Sequence, residues 1–456
     1  MSADNGFIPR LKTAVLGTAD RPLVFVGNFE VEEQWAVDEQ GLPRVSAPGG
    51  MAVVNSMDEF ALLLGGKRDH VVLKHAPDPG YRSYLEGLGL DLPQIHVIAD
   101  PDPARTVSQD ALHDPWLIAA LSALRTDEAH LLAHGVSAVE EELSTATGLP
   151  LAAPDAARCK AVNSKIYSRR VATKLGLRQP NGWACDTLEL LDEAVTAAGA
   201  VLATGRKVVV KEAFGVSGKG ISVVSDERRL DRLRRMISAT ARRNGRDRIA
   251  FVIEEWVDKR ADLNYQFTVS RDGSVHFDFV KELITENGVH KGHRIPPRLD
   301  EAQLETIRAA AQALGGQLAA DGYYGVVGVD AIVEPDGGVF PVLEINARNN
   351  MSTYQVPIQE RFVTAGETAM ARHYSLRLGA SVGFDRVRDV LGELLFDGAG
   401  SGLLVNNFAT VNAGAQTADG APFAGRLYGV LIGDSAAEVD RIDARVERAL
   451  AVLQQD

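Results

Sequence analysis

The sequence predicts a protein of two to three domains that combines α/β and α+β architecture. The 456 residues exceed what one hydrophobic core usually organises. In the first third, short apolar strands alternate with helical stretches, the pattern of a small parallel sheet covered by helices. Beyond it, strand pairs joined by glycine turns are interspersed with long amphipathic helices, as in an α+β fold.

The first region, residues 1–155, carries apolar strands at 23–29, 70–74 and 95–99, and a Pro- and Ala-rich stretch at 148–154 closes it. The second region, 156–380, opens with a helix at 164–175 that Gly176 and Pro180 end. A strand at 207–212, a glycine-rich turn and a second strand at 221–224 follow, then a strand at 249–256. Leu304, Ile307, Ala311, Leu314 and Leu318 share one face of a helix. Asp300 with Gln303 forms its capping box and Gly322 its stop. Strands at 326–333 and 339–345 are joined by Glu-Pro-Asp-Gly-Gly. The third region, 381–456, reads as a small appended α/β domain with apolar strands at 402–408 and 427–433. Its last helix, capped by Ser435 and Glu438, turns Val439, Ile442, Val446, Leu450 and Leu453 toward a sheet of its own.

Composition narrows the function. A net charge of −13 argues against nucleic acid as the main partner, since phosphate binding calls for a basic face. Cys159 and Cys185 are the only cysteines, which excludes a disulfide framework and a cysteine zinc site. His130 and His134 have zinc-like spacing on what reads as a helix, but no acid stands between them, and we expect no metal there. No apolar run reaches the ~18 residues of a membrane span, and the start of the chain lacks signal-peptide features, so a cytoplasmic protein is expected.

The chemistry concentrates in the last strand pair of the second region. Asp330 interrupts an otherwise apolar strand, and Glu344 and Asn346, two residues apart, share one face of the next. A solvated pair of strand-end acids is the competing reading. Burying carboxylates costs several kcal/mol, roughly, and a divalent cation removes that cost. Two carboxylates and an amide oxygen suit Mg²⁺ carrying a nucleotide phosphate. Gly215-Val-Ser-Gly-Lys-Gly220 lacks the residues of a Walker A loop and is flanked by strands, so it reads as a hairpin flap. Gly215, Ser217, Gly218 and Gly220 would let its backbone close over phosphates. Lys211 ends the strand before it. Lys165 stands in the first turn of its helix, where the helix dipole disfavours a cation unless an anion binds nearby. Glu254, Glu255, Trp256 and Val257 end a buried strand and could meet an adenine, with Asp258 or Asp262 on the ribose.

This ordered set, Lys165, Lys211 before a glycine hairpin, Glu-Glu-Trp-Val, Asp330 and Glu344-x-Asn346-x-Arg348, resembles the ATP-grasp superfamily of carboxylate–amine ligases across residues 156–380. The resemblance implies two α+β lobes gripping ATP, behind an N-terminal α/β pre-ATP-grasp domain and before a small C-terminal α/β domain. It implies phosphate contacts from Lys165 and Lys211, and adenine contacts from residues 254–257. It also implies ligation by Asp330, Glu344 and Asn346 of two Mg²⁺ ions, with Mn²⁺ as the alternative. Of the ribose acids, Asp262 matches better by position. The whole layout and the run Asn-Ala-Arg-Asn-Asn-Met-Ser are similar to the ATP-grasp peptide ligases of pheganomycin-type natural-product (antibiotic) biosynthesis. D-Alanine ligases place Arg two residues before the first metal Asp, where this chain has Gly328. Arg348 is therefore the first candidate oxyanion stabiliser and Arg294 the second.

The implied reaction joins a small-molecule carboxylate to an amine or peptide through an acyl phosphate, releasing ADP and phosphate. A kinase or carboxylating enzyme on the same fold, or a nucleotide-binding regulatory module, are the alternatives. No strong general base emerges, although His290 and His293 lie nearby in an expected loop. Asn349, Asn350, Ser352 and Tyr354 are expected to line the acceptor pocket. A homodimer is the family's habit.

Overall fold

The computed structural model describes residues 6–39, 41–42, 50–215, 220–245, 248–286, 289–415 and 420–454. Among them the strands form three sheets. The first is parallel, in the order Gln94–Val97, His70–Leu73, Leu23–Val26, His130–Ala133. Its order reverses at Leu23–Val26, so the carboxyl ends of that strand and of His130–Ala133 flank a topological switch point. Loops 27–30 and 134–137 leave the sheet there.

The expectation of a helix at 130–134 fails. Four apolar or half-apolar residues are too short a run to distinguish helix from strand, and parallel pairing with Leu23–Val26 decides it. His134 follows the strand, stacks at 3° on the Tyr354 ring and places Nδ1 2.9 Å from its hydroxyl.

The second sheet is antiparallel: Gly182–Thr187, Arg248–Glu255, Val208–Glu212, Ile221–Val224. The helices Leu188–Ala203 and Glu227–Arg243 cover it, burying Leu191, Ala198, Leu230 and Ile237 against Val208, Val210 and Phe251.

The third sheet orders eight strands as Val339–Asn346, Gly325–Val333, Ala261–Val269, Val275–Glu286, Val289–Ile295, Thr368–Leu378, Phe423–Gly433 and Gly402–Asn407. Helix Glu301–Ala320, with the Asp300–Gln303 capping box in place, packs Ile307, Leu314 and Leu318 on Tyr265, Phe267 and Val327. The opposite face of these central strands carries the polar residues. Period-two alternation places Asp262, Asn264 and Gln266 on it, and register carries the face across to Asp330 and Lys281.

The C-terminal segment does not build its own sheet. Thr368–Leu378, which lies before the expected boundary at 380, pairs along its whole length with Phe423–Gly433 and extends the eight-stranded sheet. The final helix Ala436–Leu450 is as expected, with Ser435 as its cap, and packs on those strands. Residues 289–295, expected as a loop, form a strand because both neighbouring strands pair with them.

Burial, above all, lifts three carboxyls of the N-terminal region: Glu30 to about 8, and Asp58 and Glu59 to about 7. Their folded values lie above the unfolded ones, so their contribution to stability is fully present below about pH 4 and is lost as pH rises through 7 to 8. We expect the melting temperature to fall between pH 5 and pH 8.5, and Glu30→Gln to flatten that fall. Calorimetry across the window checks this; a melting temperature that climbs throughout contradicts it.

Candidate active site

The register Asp330↔Glu344 and Gly328↔Asn346 sets the two carboxylates opposite each other, with Asn346 one step along the strand. Asp330 keeps some exposure to the cleft but sits deep among protein atoms. Burial and then the charge of Glu344 push its carboxyl up to about 6. Its Oδ1 accepts from Asn264 Nδ2 at 2.9 Å, and its Oδ2 lies 3.4 Å from Asn346 Nδ2. Asn264 Oδ1 is buried without a partner. No group of three His, Cys, Asp or Glu side chains converges among the described residues, so this set is two acids completed by an amide.

Cations surround the acids. The helix Lys165–Lys174, capped by Ser164, delivers Lys165, whose Nζ donates to Glu344 Oε1 at 2.7 Å and to Gly215 O at 2.8 Å. That helix is fixed by its own backbone, since Lys165 N–H donates to Ala213 O across 3.0 Å. Lys211 pairs with Glu254, whose second oxygen lies 3.4 Å from Arg169 Nη1. These three, with Lys165, line a narrow cleft between the second and third sheets.

Arg348 projects two residues beyond Asn346. Its Nη2 donates to Asn346 Oδ1 at 3.1 Å, and its Nε donates to Glu32 Oε1 at 2.8 Å. Burial pulls the guanidinium down, but Glu32, Glu344 and Asp330 outweigh it and hold Arg348 above its ordinary value. Glu32 belongs to the short helix Val31–Trp35 of the N-terminal region, so one ion pair ties the two regions together at the site.

Several sequence expectations meet the geometry differently. Arg294 does not join the site. It pairs in register with Glu282 and Met370, on the face opposite Lys281 and His293, and its guanidinium meets Asp440 of the last helix. Glu254 turns into the cleft, while Glu255 turns outward to Arg206. Trp256 is 42% exposed, with its N–H bonded to Lys207 O, and Val257 is half-buried beside it. Asp262 lies on the polar face of the third sheet, its Oδ1 2.6 Å from Lys259 Nζ, whereas Asp258 is exposed. Gly215 and Gly220 border the hairpin, and a Cβ at Gly220 would collide with the Glu212 carboxylate. Ser217 and Gly218 lie outside the described residues.

The segment after Arg348 is no open pocket. Asn349 bonds Ala133 O and His134 O, Asn350 bonds Gln266, Ser352 approaches His293, and Tyr354 is sealed against His134. Asn349 and Tyr354 join the parallel sheet to the large one, while Asn350 and Ser352 are tied to the large sheet's own strands. This also explains Gly328: a Cβ there would stand 2.5 Å from Asn350 Nδ2, leaving no room for an arginine.

Sequence reasoning missed Glu32, Arg169, Asn264 and Lys281. Lys281 pairs in register with Asn264 and is fully buried, and burial pulls its ammonium well below its ordinary value. Among the described residues its Nζ meets Ser352 O and Gln355 Oε1, at 3.3 and 3.2 Å, and the Phe279 ring. A lysine inside the apolar run 279–284 was the signal for it. Glu32 gave none, because Val-Glu-Glu-Gln-Trp is an ordinary surface-helix pattern.

Two family models match the chain: a pre ATP-grasp domain over residues 57–149 and an ATP-grasp domain over 170–355. The chain belongs to the ATP-grasp superfamily. It is 28% identical over 334 residues, 72% of either chain, to the butirosin acyl-carrier protein–L-glutamate ligase of Niallia circulans. This ATP-grasp chain also resembles N5-carboxyaminoimidazole synthetase of Staphylococcus aureus, with a TM-score of 0.53 and 13% identity over 94% of this chain and 97% of that one. The biotin carboxylase domain of the 2-oxoglutarate carboxylase of Hydrogenobacter thermophilus gives a TM-score of 0.52 at 14% identity, over 93% and 89%. These structural likenesses speak for the fold alone. Among the described residues no helix is long and apolar enough to cross a membrane.

Removing Arg348 would leave Glu32 in the domain contact without its cation. Arg348→Ala is expected to cost about 3–5 kcal/mol of stability, as when one partner of a buried pair is deleted. Urea unfolding measures it; a loss below about 1 kcal/mol is that of a solvated surface pair and contradicts a structural role.

Proposed function

We propose that this chain is an ATP-dependent, ADP-forming ligase that joins a small-molecule carboxylate to the amino group of an amino acid or peptide. The observation that carries the reading is the convergence on one sheet face of Asp330, Glu344 and Asn346, with Lys165 on one side and Arg348 on the other. The relative that bears the name of an L-glutamate ligase supports ligation over phosphorylation or carboxylation, and the layout resembles that of pheganomycin-type peptide ligases.

The residues fit a divalent cation. Among the described residues no cation bonds the desolvated Asp330 carboxylate, Glu344 faces it, and Asn264 presents a buried oxygen without a partner. Asp330, Glu344 and Asn346 would hold Mg²⁺, all hard oxygen donors. Bound MgATP would supply the γ-phosphoryl group that turns an unreactive carboxylate into an acyl phosphate.

The chain's own part is positioning and charge neutralisation. Lys165 and Lys211 line the cleft from two sides and balance phosphate charge. The backbone at Gly215 and Gly220 frames the hairpin that would cover the phosphates. Glu254 orients Lys211 and, with Glu255, Trp256 and Val257, forms the strand end that would meet the base, with Asp262 placed for a ribose hydroxyl. Arg348 lies beside Asn346, where negative charge develops on the attacked carbonyl. Removing one such donor costs ~3–4 kcal/mol elsewhere.

The test is ATP turnover with Mg²⁺, a panel of amino acids and short peptides, and hydroxylamine as trap. ADP with a hydroxamate is the expected result. AMP and pyrophosphate would refute the mechanism, a stable phosphorylated product would identify a kinase, and strict bicarbonate dependence a carboxylating enzyme.

Asp330→Asn removes one carboxylate while keeping its size. We expect ATP turnover to fall at least ~100-fold and the Mg²⁺-dependent rise in melting temperature with ADP to disappear. An unchanged nucleotide-induced shift would place the metal elsewhere.

A further inference from the structure

We propose that Glu32, contributed by the N-terminal region, binds the attacking amine and takes its proton as the amide forms. The inference rests on the ligase reading and goes beyond it by assigning the second substrate's contact.

A continuous hydrogen-bond chain leads to this residue from the acidic set. Asp330 accepts from Asn346 Nδ2, Asn346 Oδ1 accepts from Arg348 Nη2, and Arg348 Nε donates to Glu32 Oε1 at 2.8 Å. Glu32 is thus the next acid outward from the arginine assigned to the oxyanion. Both Arg348 nitrogens that reach it converge on Oε1. Among the described residues, Oε2 makes none of these bonds. The two side chains are 12% and 14% exposed, so an incoming group can reach the pair without unfolding it. The helix that presents Glu32 is itself fixed. Val31 and Trp35 are buried in the core beneath the large sheet, and Trp35 Nε1 donates to Val136 O at 2.9 Å.

The site's charge balance points to the same residue. An amino acid approaches as an ammonium ion and needs an anion to meet it. Glu344 is held by Lys165, and Glu254 by Lys211 and Arg169. Asp330 belongs to the cation-binding set. Glu30 is near in sequence, but both its oxygens are buried, out of reach. Of the other titratable groups on this sheet face, Asp262 pairs with Lys259, Asp278 accepts from Gln266 and Thr268, and Lys281 is wholly enclosed beneath Ser352 and Gln355. Among the described residues, Glu32 is the acid bonded to Arg348, and its Oε2 takes no part in that pairing.

The step balances. The bound ammonium first gives one proton to Glu32, which passes it to solvent. The freed amine nitrogen then forms a bond to the acyl-phosphate carbon, and the nitrogen, now cationic, becomes strongly acidic. Glu32 takes this second proton. The tetrahedral adduct collapses as the bond from carbon to the phosphate oxygen breaks, and phosphate leaves with that electron pair. Glu32 then returns the proton to solvent.

The experiment compares two nucleophiles on the full chain. Hydroxylamine attacks acyl phosphates without assistance, whereas an amino acid needs its ammonium held and deprotonated. Glu32→Gln keeps the size of the side chain and an oxygen for Arg348. We expect amide formation slowed ~100-fold or more, the usual scale for loss of a general base, and hydroxamate formation, which needs no base but still uses Arg348, to fall by a clearly smaller factor. Glu32→Asp should recover part of the amide rate, and melting curves of both variants report folding. Amide formation at the wild-type rate in Glu32→Gln overturns the inference while leaving the ligase reading intact. Equal loss of hydroxamate and amide also overturns it, since Glu32 would then serve only to place Arg348. Wild-type protein that forms no hydroxamate overturns the ligase reading, and the inference with it.

Discussion

The site depends on one constraint: carboxylates on the interior face of an antiparallel sheet must be answered by cations. Asp330 and Glu344 stand opposite each other on paired strands, where like charges oppose one another. Lys165 and Arg348 are arranged around that problem. Lys165 leaves the favourable setting of bulk water for a helix N-terminus, where the dipole acts against it, because Glu344 lies 2.7 Å away. Arg348 tolerates burial for the same reason, held by Glu32, Glu344 and Asp330 together. Among the described residues Asp330 keeps amide donors alone, and burial followed by Glu344 raises its carboxyl.

The three sheets are placed by these polar contacts as much as by their cores. Lys165 and the cleft beside Lys211 join the small antiparallel sheet to the large one. The pair Arg348–Glu32 and the buried bonds of Asn349 and Tyr354 join the parallel sheet to it. Glu59 extends the same logic to the far end. Its carboxylate accepts from the backbone of Phe408 and Ala409 at 2.6 and 2.8 Å, fastening the C-terminal strands to the first region. Such contacts between regions are sensitive to the ionisation of single groups, unlike the apolar packing within each.

What the sequence revealed follows from what local pattern can encode. Asp330, Glu344 and Asn346 were visible because a charge inside a Val and Ile run breaks a strong pattern, and their shared face follows from period-two geometry. The capping boxes were visible because they span only four residues. Sheet membership was not. Residues 130–133 and 368–378 are strands because of partners distant in sequence, and 289–295 is held between the strand just before it and the distant 368–378; nothing local distinguishes a short apolar run that pairs from one that coils. Arg294 shows the consequence. With 289–295 taken as a loop its side chain could point anywhere; as a strand, register sends it to the wrong face.

Glu32 marks the limit of sequence reading at this site, and the reason is geometric. Asp330, Glu344, Asn346 and Arg348 lie within twenty residues on one hairpin, so a single supersecondary unit can be recognised by its spacing. The residue that pairs with Arg348 comes from more than three hundred residues away, out of the short helix that follows a loop at the switch point of another sheet. A parallel sheet exposes its variable loops at the carboxyl ends of its strands, and here those loops face the invariant geometry of a strand pair. On the proposed reading the hairpin would fix where phosphoryl and acyl chemistry occurs, and the N-terminal region what approaches it. Chemistry and selectivity would then be carried by different regions of the chain. Their meeting point is the ion pair between Arg348, which follows the hairpin, and Glu32, in the short helix after the first strand's loop.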